Sequence, residues 1–256
     1  MALTRLAPTP SGFLHAGNRA NISLTIELAR HWDARVALRI DDADASRYRR
    51  EYVDDIFDTL ARMAITWDLG PRDGDDFEAH WSQRSKTAHY RSALAAARDA
   101  GMPVYACACP RSAQSGPASG GCVGECRERH LPLEPGRTAL RVAIEPSTLI
   151  EVSGITVDVA REMGDAVIWR RDDLPAYQLV SVVEDRDLGT THIVRGDDLL
   201  PSSALQAYIA PWFGAANVAS ATYVHHALEV DEHGVKLSKS TLASTMPHSS
   251  TTGEAT

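Results

Sequence analysis

"RLAPTPSGFLHAGN", Arg5–Asn18, decides how this sequence folds. "LTRLAP" predicts a short strand stopped by Pro8, "PTPSG" a turn, and a helix follows from about Leu14 to His31. A helix start after such a turn offers free backbone N–H groups and the positive end of the helix dipole, which suits a phosphate. His15 stands at that start, and Gly17 removes a side chain where a flat ring could lie against the first turn. Further on, "RVALRI" (Arg35–Ile40) predicts a second strand ended by the acidic cluster "DDAD". "REYVDDIFDTLARM" sets Val53, Ile56, Leu60 and Met63 at helical spacing, and "KTAHYRSALAAARDAG" is a helix with a glycine stop. Strand, helix, strand, helix predicts an α/β protein with a parallel sheet.

From Val104 to about Ile168 the rhythm changes. A Cys- and Gly-rich knot precedes the strand-like runs "TALRVAI", "TLIEV", "ITVDV" and "DAVIW". The first rhythm returns with the helix "AYQLVSVVEDRDLG", the strand "THIVRG", the helix "SSALQAYIAPWFG" and the strand "ATYVHH". The simplest organisation is a first half over 1–102, a β-rich insertion over 103–175 and a second half over 176–240. A small, polar tail over 241–256 is expected to be disordered.

The chain has 256 residues, 44% hydrophobic and 23% charged, enough to build a core without a metal or disulfide. A net charge of −8 argues against general coating of nucleic acid or anionic membrane. No apolar run is long enough for a membrane span, and "MALTRLAPTPSG" lacks the pattern of a signal peptide, so a cytoplasmic protein is expected. The four cysteines all lie between Cys107 and Cys126, as "CAC" (Cys107, Cys109) and "CVGEC" (Cys122, Cys126). In a cytosolic chain this clustering predicts one tetrahedral, structural zinc, with His130 as an alternative ligand.

Near the end, "KLSKS" (Lys236–Ser240) sets two lysines in a loop suited to an anionic group. Together with "HAGN" it resembles the paired HIGH and KMSKS signatures of class I aminoacyl-tRNA synthetases. "LRIDDADASR" and "AYQLVSVVEDRDLGTTHIVRGDDLL" extend the resemblance to the glutamyl-tRNA synthetase core, and in particular to its truncated paralogues that glutamylate queuosine in tRNA(Asp). The resemblance implies a Rossmann-like parallel sheet with the zinc-containing insertion facing the RNA acceptor. It implies catalytic roles for His15 and Lys239, and ATP bound with Mg²⁺ by His15, Gly17, Asn18, Lys236 and Lys239. It places L-glutamate against Arg5, Ala7, Thr9, Asp41, Tyr177 and Arg195, with both arginines on the side-chain carboxylate and Asp41 on the ammonium. Paired guanidiniums suit that task, since their charge-assisted hydrogen bonds have no equivalent with a neutral amide.

The implied acceptor is tRNA(Asp) bearing queuosine, the implied enzyme a monomer, and the late KLSKS loop fits a chain lacking an anticodon-binding half. Three positions depart from the family pattern. Asp41 replaces a glutamate and shortens its reach by about 1.5 Å, Ser181 stands where full-length enzymes carry an amide, and Asn18 ends the HIGH block. An adenylating enzyme that feeds a carrier protein, small molecule or other tRNA is the alternative. His225 and His226 receive no role at this stage.

Overall fold

The computed structural model describes residues 1–109, 122 and 124–227. Lys236, Lys239 and the tail 241–256 lie outside the described residues. In chain order, β1 (Leu3–Leu6), α1 (Ala16–His31), β2 (Arg35–Leu38), α2 (Arg50–Arg62), α3 (Gly74–Asp76) and α4 (Thr87–Asp99) form the first half. The middle is strand-rich: β3 (Val104–Cys107), β4 (Ala139–Val142), β5 (Leu149–Val152), β6 (Ile155–Asp158), α5 (Val159–Met163) and β7 (Val167–Trp169). Then come α6 (Tyr177–Leu188), β8 (His192–Gly196), α7 (Leu200–Ile209), α8 (Ala216–Ala219) and β9 (Thr222–His226).

Two parallel crossovers frame the molecule. β1 pairs with β2 across α1, with Leu3 opposite Arg35 and Leu6 opposite Leu38. β8 pairs with β9 across α7 and α8, with Arg195 opposite His225. The two pairs meet where their strands begin, as the Thr191 N–H donates to the Leu3 carbonyl at 2.9 Å and the Leu3 N–H to Thr191 Oγ1 at 2.9 Å. All four strands therefore run the same way, and their carboxyl ends open on one side, where α/β sheets hold ligands.

The middle strands are antiparallel. β4 lies between β3 and β7, and β5 and β6 form a separate hairpin. Their buried residues Leu140, Val142, Val152, Val157 and Ile168 belong to the same apolar cluster as Leu179, Val183, Ile193, Leu205 and Phe213. A second cluster joins Leu6, Ile22, Leu38, Val53, Ile56, Leu60 and Phe77, so three of the four periodic positions read in α2 face this core. Met63 is only partly buried against it. No helix among the described residues is long and apolar enough to cross a membrane.

Leu69 extends the first strand pair: its carbonyl accepts from the Leu38 N–H at 2.8 Å, and Ala37 bridges it in parallel. The chain then turns at Gly70, whose φ of 120° suits only glycine, and where an added Cβ would stand 2.2 Å from the Leu38 carbonyl oxygen. Gly70→Ala should therefore lower stability by about 2–4 kcal/mol, read as a reduced urea midpoint. An unchanged midpoint would show that this edge tolerates displacement.

Candidate active site

The turn before α1 is held from two sides. The Leu14 N–H donates to Asp55 Oδ2 of α2 at 2.8 Å, and Arg19 Nη1 donates to the Leu14 carbonyl at 3.1 Å. His15 caps α1 with an extended backbone (φ −96°, ψ 179°), and Asn18 Oδ1 accepts from the His15 N–H at 3.1 Å. Asn18 thus serves the helix start itself. A Cβ on Gly17 would stand 3.2 Å from His15 Cε1, so the imidazole lies over the glycine. The imidazole thus occupies the space over Gly17 where the sequence reading expected a flat ring to lie.

The strand ends supply the charges. Arg5, Ala7 and Thr9 alternate along β1 and its continuation, and Arg39 and Asp41 do so along that of β2. Hydrogen bonds from the Arg39 N–H to the Leu6 carbonyl and from the Asp41 N–H to the Pro8 carbonyl, both 2.9 Å, keep the two continuations side by side. Tyr177, Ser181 and Asp185 are spaced four apart on α6 and so share one face. That face brings Asp185 to the arginines. Its Oδ1 lies 2.9 Å from Arg5 Nε and 2.8 Å from Arg39 Nη1, while Oδ2 lies 3.7 Å from Arg195 Nη2.

Arg195 is held instead by neutral acceptors: Gln206 Oε1 at 2.7 Å, Ser181 Oγ at 3.1 Å and Ser203 Oγ at 3.2 Å. Arg39 chelates Asp41 at 2.7 and 3.0 Å, and Gln83 Nε2 donates to Asp41 Oδ1 at 2.8 Å. Three guanidiniums thus share two carboxylates, leaving one positive charge in excess. Burial raises the Asp185 pKa, but the charges of Arg39, Arg5 and Arg195 outweigh it and bring it down to about 2. Burial also acts on Arg39, yet Asp185 and Asp41 hold its proton more tightly than usual. Burial, with the opposing charges of Arg195 and Arg39, loosens the proton on Arg5.

Of the residues expected at a glutamate pocket, the structure brings Arg5, Arg195 and Asp41 into one cluster. Tyr177 stands at its rim, 42% exposed and within electrostatic reach of Arg5. Ala7 is half-buried and Thr9 exposed on the same strand continuation. Asp41, expected to meet an ammonium, has three of its four lone-pair sites occupied by Arg39 and Gln83 and keeps one on Oδ2. Sequence reasoning missed Arg39, Asp185, Gln83, Ser203 and Gln206. A usable signal existed for the first two, namely a lone charge inside the apolar run "VALRI" and acids inside the nearly all-apolar "LVSVVED".

The cysteines converge as expected. The Sγ atoms of Cys107, Cys109, Cys122 and Cys126 all lie within 4.8 Å of one another, and the four can hold a metal ion. Cys109 Sγ is 3.8 Å from Cys122 Sγ and 3.4 Å from Cys126 Sγ, close to the ~3.8 Å between thiolates bound tetrahedrally at about 2.3 Å. His130 is exposed and outside this set. Burial opposes ionisation of Cys122, but the backbone N–H groups of Cys126 and Gly124 favour the thiolate and help bring its pKa to about 7. Arg127 Nε and the Tyr105 hydroxyl both donate to Asp165 Oδ2, at 2.8 and 2.6 Å, fixing the frame around the thiols.

This fold and site define a class: residues 1–97 and 127–254 match the family described as tRNA synthetases class I (E and Q), catalytic domain, and the chain belongs to that family. Within it, the chain is 34% identical over 241 residues to the Glutamyl-Q tRNA(Asp) synthetase of Methylococcus capsulatus, covering 92% of this chain and 74% of that protein. It is 36% identical over 256 residues to the protein of the same name from Verminephrobacter eiseniae, covering 92% and 80%. The fold is also that of a glutamate tRNA ligase from Elizabethkingia meningosepticum, with a TM-score of 0.76 and 20% identity over 95% of this chain. The chain spans 53% of that structure's length.

Asp185→Asn would leave three buried guanidiniums sharing only Asp41, and should destabilise the protein by about 3–5 kcal/mol. Between its unfolded pKa of 3.8 and about 2, the folded state binds fewer protons at Asp185 than the unfolded state. Stability contributed by Asp185 is therefore present above pH 3.8 and lost as pH falls toward 2, a contribution of about 2 kcal/mol. Urea unfolding of parent and variant from pH 7 to 2.5 should show the gap narrowing on the acid side. A gap that stays constant would remove Asp185 from the acid response.

Proposed function

We propose that this chain activates L-glutamate with ATP, giving glutamyl-adenylate and pyrophosphate, and passes the glutamyl group to queuosine in tRNA(Asp). The observation that carries this reading is the excess positive charge where Arg5, Arg39 and Arg195 share Asp185 and Asp41. An anionic side chain completes that balance and a neutral amide does not. The names of the relatives support the same substrate and acceptor.

In this reading Arg5 and Arg195 take the side-chain carboxylate, and the remaining lone pair of Asp41 takes the ammonium. Tyr177, Ala7 and Thr9 line the approach. His15, Gly17 and Asn18 seat the nucleotide at the start of α1, where the helix dipole favours phosphate. Lys236 and Lys239 neutralise the departing pyrophosphate, and Mg²⁺ accompanies the triphosphate. The α-carboxylate of glutamate attacks the α-phosphate, and a hydroxyl of the queuosine ring then attacks the acyl carbon and releases AMP. No side chain forms a covalent bond, so the protein acts by positioning and charge. The cysteine set holds one structural zinc, which fixes the insertion 103–175 beside the acceptor. Four protein ligands leave no open position for catalysis.

ATP–pyrophosphate exchange with each amino acid, without tRNA, should respond to glutamate alone. Glutamylation should then require tRNA(Asp) carrying queuosine. Arg195→Ala should erase the preference for glutamate over glutamine, and Lys239→Ala should slow adenylation by about a hundredfold, near 3 kcal/mol. Exchange supported best by another amino acid would overturn the substrate assignment.

Protein purified without chelator should contain about one zinc per chain, and Cys107→Ser should lose both the metal and thermal stability. Metal analysis finding well under half an equivalent in the parent would sink the zinc assignment.

A further inference from the structure

Of the three clustered arginines, Arg5 and Arg39 touch Asp185 at 2.9 and 2.8 Å, whereas Arg195 stands off at 3.7 Å. Its short contacts are all to neutral oxygens, which aim the guanidinium without cancelling its charge. One of them, Ser203 Oγ, is fully buried in the first turn of α7 and lies 3.1 Å from the Leu199 carbonyl. What fixes this hydroxyl lies on the neighbouring strand. The β8–β9 register sets His225 opposite Arg195, and His225 Nε2 is 2.9 Å from Ser203 Oγ. The other ring nitrogen, Nδ1, is 2.8 Å from Ser153 Oγ.

Ser153 and Gly154, with φ of 55° and 72°, form the two-residue turn of the β5–β6 hairpin, as a primed turn requires. Ser153 Oγ also donates to the Tyr223 carbonyl at 2.7 Å. The imidazole therefore spans a hydroxyl of the antiparallel insertion and a hydroxyl that holds Arg195. Burial first, then the charge of Arg195, keeps the His225 pKa down at about 4. At neutral pH the ring carries one proton for two hydroxyl contacts. Ser153 gives its hydrogen to the Tyr223 carbonyl and accepts from Nδ1–H, so Nε2 accepts from the Ser203 hydroxyl, whose lone pairs remain for Arg195.

We propose that His225 is a positioning residue that aims Arg195 through Ser203, and that its second nitrogen anchors this alignment to the β5–β6 hairpin. The proposal rests on the reading of Arg195 as a glutamate-carboxylate ligand, and it adds a specificity determinant that touches no substrate. An imidazole reaches both hydroxyls at once, which neither amide side chain does. A glutamine amide matches the reach of Nε2, and an asparagine amide that of Nδ1.

The test compares His225→Leu, His225→Gln and His225→Asn in glutamate-dependent ATP–pyrophosphate exchange. Leucine and asparagine should raise KM for glutamate about tenfold, with kcat and KM for ATP within about threefold of the parent. Glutamine should restore KM to within about threefold. Equal behaviour of all three variants, or a loss confined to kcat, would overturn the proposal. Crystal structures of the parent and His225→Leu supply a readout independent of substrate. The Arg195 guanidinium should leave Ser203 in the variant, and an unmoved guanidinium would also overturn the proposal. A parent without glutamate-dependent exchange would refute the substrate reading alone, and the crystal structures would still decide the role of His225.

Discussion

Asp185 is buried with three guanidiniums around it, and the parallel strands of the molecule are arranged to make that placement tolerable. A buried carboxylate costs several kcal/mol unless opposite charge and hydrogen bonds surround it. Here the partners come from β1, the continuation of β2, and β8, separated by up to 190 positions in sequence. None of the three strands can shift without exposing an unmatched charge, so the cluster sets how the two parallel crossovers meet. The arrangement leaves an excess of one positive charge at the carboxyl ends of the strands.

The same economy governs α6. Its residues from Leu179 to Asp185 are all buried, so the helix touches protein on every side. Glu184 and Asp185 are adjacent and point to different partners. Glu184 takes Lys86 Nζ at 3.1 Å and the Tyr90 hydroxyl at 2.6 Å, while Asp185 takes the strand arginines. One turn of helix thus stitches the helix beginning at Thr87 to the carboxyl ends of the strands. The departures at Asp41 and Ser181 fall inside this network. Ser181 spends its hydroxyl on Arg195 and Gln206, and Asp41 is drawn toward Arg39.

Much of this was legible in the sequence, for physical reasons that differ by element. The strand–turn–helix at Arg5–Asn18 was readable because proline, glycine and a capping residue act locally. The cysteine set was readable because thiols crowded in sequence have few uses outside metal binding. Arg5 and Arg195 were readable by resemblance, but their mutual geometry was not. Asp185 sits where the apolar run "LVSVVED" passes into the polar "RDLG", a signal that marks a buried acid but not which arginines surround it. His225 carried no local signal, since its partners Ser203 and Ser153 are brought to it by strand register and a hairpin turn.

The shared apolar cluster that joins β4–β7 to α6, α7 and β8 has a consequence for how the molecule comes apart. An insertion with its own core could open by itself and leave the remainder intact. Here, withdrawing Leu140, Val142 or Ile168 strips the inner face from Leu179 and Ile193, so the two regions lose protection together. Slow amide exchange in the middle strands would then report the same opening as that around Arg195, and excising those strands would expose the apolar backs of α6 and β8 to water.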